Sequence, residues 1–166
     1  MYTASIPVFQ HMLKNLAHIL DKGAQHAENR KIDPAALTTF RLFPDMLPLT
    51  RQVLIACDAA KNGVARVAGL EAPKFEDNEA TFAELKARIQ KTLDYLATVP
   101  ATALDGTEDK EITFPVGPNT RTMKGQAYLL TWVMPNVFFH VTTAYNILRH
   151  NGVELGKRDY LAGSQQ

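Results

Sequence analysis

The sequence predicts an all-α fold: an antiparallel four-helix bundle with a small β-hairpin before the last helix. Three observations carry this. Apolar residues recur at three- and four-residue spacing in four separate segments. Proline, glycine or a capping pattern marks most ends of those segments. One short stretch alone, within Ala101 to Gly125, alternates in the manner of strands.

In the first segment Ile6, Phe9, Leu13, Leu16 and Leu20 are spaced 3, 4, 3 and 4, which places them on one helical stripe. Lys14, Asn15 and Lys22 fall on the other side, as on a helix with one face in water. The pattern fades near Ala27 to Arg30. A long connector, Lys31 to Asp45, follows, and Asp33 before Pro34 predicts a capped short turn within it. The second helix is expected to begin near Met46 or Leu47, with Asp45 as its N-cap and Pro48 in its first turn. Leu49, Val53, Cys57, Ala60, Val64 and Val67 form its apolar stripe, and Gly69 and Pro73 end it.

The third helix starts between Asn78 and Thr81, where Thr81-Phe-Ala-Glu84 has the form of a capping box. Phe82, Leu85, Ile89, Leu93 and Leu96 continue it to the stop at Pro100. Glu111-Ile-Thr-Phe and Thr120-Arg-Thr-Met123 alternate around the turn signal Val116-Gly-Pro-Asn119, so they predict a two-stranded hairpin. A lone ribbon is marginal in water and must lean on the bundle. The fourth helical region runs from about Gly125 to His150. Pro135 removes a backbone donor and is expected to kink or split it. Val137, Val141, Ala144, Tyr145 and Leu148 share its inner face, Asn151-Gly152 stops it, and the tail to Gln166 is expected to be irregular.

The totals fit one domain over 1–166. Hydrophobic residues make up 46% and charged residues 21%, the balance of a folded globular chain and not of a disordered one. A net charge of +1 excludes long-range attraction to a polyanion, so no nucleic-acid partner is expected. One cysteine, Cys57, excludes an intrachain disulfide and fits a reducing compartment. The N-terminal segment lacks a basic region followed by an unbroken apolar run. The longest apolar stretch, Tyr128 to Val141, is too short to span a bilayer. The expectation is a cytoplasmic protein without membrane attachment.

Six residues form the candidate pocket: His140, Asn136, Cys57, Trp132, Asp45 and Arg41. His140 lies at the edge of the apolar face of the last helix, with Asn136 one turn before it. Two histidines four apart chelate a metal well, but here the partner position holds an amide. A buried histidine with a hydrogen-bond partner is the reading that follows. Cys57 on an inner stripe reads first as a small hydrophobe, and it becomes a nucleophile only beside a cation. Trp132, Phe138 and Phe139 read as core residues that can also line a pocket. Arg41 and Asp45 flank the connector and are placed to pair with each other or to meet a ligand. His11 and His18, seven apart and opposite the apolar stripe, read as a solvated face, with a site at an oligomer interface as the alternative. No Gly-rich phosphate loop, serine elbow or CxxC motif is present.

The segment His140-Val-Thr-Thr-Ala-Tyr-Asn-Ile-Leu-Arg149-His-Asn-Gly152 resembles the last helix of the DinB-like/YfiT-like superfamily. Arg41-Leu-Phe-Pro-Asp-Met46, Gly125-Gln-Ala-Tyr-Leu-Leu-Thr-Trp132 and Phe138-Phe-His-Val-Thr-Thr-Ala-Tyr145 resemble an uncharacterised bacterial domain-of-unknown-function family within it. The resemblance covers nearly the whole chain. It implies a four-helix bundle, frequent homodimers and often a divalent metal on three histidines, one from helix two and an HxxxH pair from the last helix. It also implies kinship with thiol-dependent transferases and isomerases. Carried over by position, His140 is the second histidine of HxxxH, the first is Asn136, and Met46 to Gly69 contains no histidine. No metal or other cofactor is therefore expected, and activity is not inherited from the fold.

Three functional readings follow. One is a metal-free, homodimeric bundle that binds a small molecule or partner near His140. Another is a thiol- or metal-dependent transferase or hydrolase with a rebuilt site, using His140 as base or ligand, Cys57 as nucleophile and Asp45 as second carboxylate. A purely structural protein that functions through its dimer face is a third.

Overall fold

The computed structural model describes residues 1–163. After a 3-10 turn at Tyr2–Ala4 come helix α1 (Ile6–Arg30), the short α2 (Pro34–Thr38), α3 (Leu49–Ala68) and α4 (Phe82–Thr98). A second 3-10 turn leads to strands β1 (Glu111–Val116) and β2 (Asn119–Lys124). The last helical region comprises α5 (Gly125–Tyr128), a π-helical turn (Leu129–Val133) and α6 (Met134–His150), and α7 (Lys157–Ala162) follows.

Four long helices form the bundle. Helix α3 packs on α4 and α6, and α1 packs on the same two from the opposite corner. Gln52 meets His140 and Gly63 meets Val133, so α3 and α6 run in opposite directions. Cys57 lies against Thr92 and Asp58 against Arg88, which makes α3 and α4 antiparallel as well. Lys86 pairs with Asp21, and Gly23 touches Phe82, so α4 also runs against α1. The bundle is thus antiparallel around its ring.

The apolar stripes supply the core. Ile6, Phe9, Leu13, Leu16 and Leu20 of α1 are buried, as are all six stripe residues of α3. Thr81 closes its capping box: its hydroxyl accepts from the Glu84 N–H, while Glu84 Oε2 accepts from the Thr81 and Ala80 N–H groups. Gly69 ends α3 in the left-handed region at φ 70, which a residue without Cβ adopts at low cost. Asp33 caps α2 through the Ala35 N–H. The hairpin places Ile112 and Phe114 against the bundle, and the Phe114 ring meets Tyr128 at 4.5 Å and Trp132 at 5.3 Å.

Two expectations are corrected and a third is refined. Asp45 does not cap the second long helix, which begins at Leu49 with Pro48 in the cap position. Pro48 holds Leu47 out of the helical region, and the free Leu49 N–H bonds to the Phe40 carbonyl instead. Pro135 itself stands in the first turn of α6, and the helical region departs from α geometry just before it. The chain passes through it by widening to the π turn just upstream, which accommodates the donor missing at Pro135.

The tail is not irregular throughout. Helix α7 docks on the supposedly solvated face of α1, where the His11 ring bonds to the Leu161 carbonyl and Asn15 donates to the Tyr160 carbonyl. His18 and Lys22 both reach Asp159. Burial alone would raise the Asp159 carboxyl, but the Gly156 N–H, His18 and Lys22 outweigh it and hold it at about 2. The last part of that tail lies outside the described residues. Among the described residues, no helix is long and apolar enough to cross a membrane.

Candidate functional site

His140 projects from α6 toward α3, where Gln52 waits. Its Nδ1 lies 2.7 Å from Gln52 Oε1, and both side chains are buried. Gln52 Nε2 donates to the Leu47 carbonyl at 2.9 Å. A carbonyl only accepts, so the amide must turn its NH₂ to Leu47 and its oxygen to His140. Nδ1 therefore carries the proton. Burial lowers the pKa of the ring below its ordinary 6.5, so the neutral form prevails at neutral pH. In that tautomer Nε2 keeps a lone pair, and no protein atom bonds to it among the described residues.

These donors do not fit a divalent cation. Asn136, in the first HxxxH position, gives its Nδ2 to the Trp132 carbonyl at 2.8 Å, inside the turn upstream of Pro135. The residue facing His140 from α3 is an amide, already bonded at both ends. Among the described residues no three His, Cys, Asp or Glu side chains gather as a metal site.

One turn along α6 from His140, the seam between α3 and the last helical region opens into a cleft of about 140 Å³. Asp58, Ala59, Asn62 and Arg66 of α3 form one wall, and Tyr128, Trp132 and Asn136 stand opposite. Beside the cleft Gly63 lets the two backbones come close: a Cβ there would sit 2.5 Å from Val133 Cγ1. Tyr128 Oη accepts from Arg66 Nη1 at 3.0 Å. The Arg121 guanidinium lies 5.3 Å over the Trp132 ring.

The structure thus brings Trp132 and Asn136 together in one cleft and leaves His140 one turn beyond its wall. Cys57 lies on another side of α3, toward Thr92 and Arg88. Burial pushes its thiol up to about 12 against the bond from Thr92, so it offers no thiolate at neutral pH. Arg41 donates to the Met46 carbonyl, not to Asp45, and Asp45 is exposed.

Sequence reasoning passed over Gln52, Asp58, Arg66 and Arg88. Arg88 left a trace, since it follows Leu85 by three on the stripe that must be buried. Its guanidinium bonds to Asp58, Asp77, Glu79 and the Glu76 carbonyl. With Lys61 it covers the ring of Phe75, so the segment between α3 and α4 is clipped down.

Residues 1–161 match the family described as "Domain of unknown function (DUF1993)". A crystal structure described as a DinB family member protein from Shewanella denitrificans is similar at 44% identity and a TM-score of 0.91, covering 97% of this chain and 91% of that one. Comparison with curated proteins finds no match. With the match running over nearly all of its length and its helices superposing on those of a DinB family structure, the chain belongs to the DUF1993 family, a family of DinB-like helical fold.

Proposed function

We propose that the protein works by binding and not by metal chemistry: a cytoplasmic, metal-free, homodimeric bundle that takes a small molecule or partner in the α3–α6 seam beside His140. The observation that supports this most directly is the His140–Gln52 bond. It ties down the last imidazole at the superfamily's metal positions with an amide, while the cleft one turn away stays open. The rebuilt-enzyme reading has less support, because its nucleophile, Cys57, is buried and held protonated.

The outer face of α6 supports the homodimer. Leu130, Met134, Phe138 and Phe139 line a shallow groove of about 540 Å³ with no charged side chain in its lining, and Phe139 is 57% exposed. A second copy of this chain suits it, since a two-fold interface sets one apolar face on its own image and a net charge of +1 raises little repulsion between copies. Phe139→Glu is expected to shift the protein from dimer to monomer in sedimentation velocity without unfolding it.

Elemental analysis tests the metal-free reading. Protein purified without a metal-affinity column, then soaked with zinc, nickel or manganese and desalted, is expected to retain far less than about one equivalent per chain. A full equivalent that disappears in His140→Ala would return the enzyme reading to first place.

A further inference from the structure

The cleft is rich in unused donors. Arg66 is half-buried and bonds only to the neutral oxygen of Tyr128, and among the described residues no carboxylate pairs with it. Tyr128 Oη accepts that bond, and its own O–H proton has no acceptor among the described residues. The Asn62 side chain, half-buried on the same wall, has no partner among the described residues either. The one acid in the lining, Asp58, is already answered by Lys61 and Arg88, each at 3.0 Å. It stands two turns down α3, roughly 12 Å from Arg66 along the axis. A second cation, Arg121, lies over the Trp132 ring and also has no acidic partner among the described residues.

A half-buried guanidinium without a counter-charge has lost part of its hydration and gained no ion pair in return. Its planar donor fork matches a carboxylate in shape and charge. We propose that the Arg66–Tyr128–Trp132 cleft binds a small organic carboxylate, with Arg66 and the Tyr128 hydroxyl donating to the carboxylate oxygens and the Trp132 ring covering its short apolar part. The volume of about 140 Å³ holds the ligand to the size of a short-chain acid. This assignment rests on the reading of the seam as a binding site.

The chain's single tryptophan is Trp132, so its fluorescence reports directly on the cleft. The full chain is titrated with sodium propanoate, propanamide and propylammonium chloride, which share a shape and differ in charge, at constant ionic strength. Propanoate is expected to give a saturable change in emission and the other two none. Arg66→Gln, checked for folding by circular dichroism, is expected to weaken propanoate at least about tenfold. Tyr128→Phe keeps the charge but removes the hydroxyl that fixes it, and is expected to weaken propanoate by about three- to tenfold. If Arg66→Gln does not fold, the Tyr128→Phe titration decides. Equal response to propanamide or propylammonium, or unchanged propanoate affinity in the folded variants, would overturn the carboxylate assignment and leave the seam a binding site. No saturable change with any of the three would overturn both.

Discussion

Helix α3 treats its polar side chains in opposite ways on its two sides. Toward α4, Asp58 and Lys61 join Arg88, Asp77 and Glu79 in a network whose charges answer one another, with Arg88 itself almost wholly buried. Among the buried atoms described there, Arg88 Nε and Glu79 Oε2 lack a bond. Toward α6, Gln52 is satisfied at both ends, yet among the described residues His140 Nε2, Asn62 and the Tyr128 proton have no partner, and Arg66 bonds only to the uncharged Tyr128 hydroxyl. The first side shows what a cluster that holds the chain together looks like: opposite charges in matched contact. The second leaves its donors without charged counterparts among the described residues, the arrangement that the proposed ligand would complete. Charge density alone points to the first side, yet that denser cluster is the closed one.

The contrast can be broken most severely at Arg88. Arg88→Met removes the buried cation from three carboxylates and is expected to cost about 3 kcal/mol, read as a lower urea midpoint. A near-neutral result would mean that the network is no clip. A middling effect is expected at Gln52, where Gln52→Ala leaves the His140 N–H buried without an acceptor, at about 1–3 kcal/mol. The pH dependence sharpens this.

The folded His140 pKa lies below the ordinary 6.5, so the unfolded chain takes up the proton first as pH falls. The stability that goes with the neutral ring is complete above 6.5 and is lost as pH drops through the lowered value. Urea midpoints measured from pH 7.5 to 5 in the parent and in His140→Phe should diverge over that window. The smallest effect is expected at Arg66. Arg66→Gln should alter stability by less than about 0.5 kcal/mol, since no ion pair is lost, and a large destabilisation would move Arg66 from the open set to the closed one.

The sequence made the bundle legible because helical stripes, capping box and hairpin turn are local patterns. Ile6 to Leu20 or Thr81 to Glu84 state their structure within a few turns. The site was legible only in part. Asn136 and Trp132, chosen on the helical region that carries the resemblance, both line the cleft proposed as the site. Arg66 was not found, since an arginine near the end of a helix has the appearance of a solvated residue until Tyr128, sixty-two positions later, is seen beside it. Helix α7 was missed for a related reason. It is held by Asp159, His18 and Lys22 across the whole length of the chain, and six residues carry too little pattern to announce a helix. Asp45 went wrong by competition: its N-cap chemistry was sound, but Pro48 dictated the backbone.

The π turn at Leu129–Val133 carries a consequence in length, not in composition. Such a turn holds one residue more than an α turn, so it acts as a phase shift of roughly 100° between the two halves of one continuous rod. Downstream of it, Val137, Val141 and Ala144 face the core; upstream, Tyr128 faces Phe114 and Arg66. Deleting the exposed Thr131 would leave the cleft's own side chains in place and yet turn the upstream half by about a quarter turn. Tyr128 would then rotate away from both the hairpin and the cleft. The spacing between Tyr128 and Pro135 is therefore a dimension of the site in its own right.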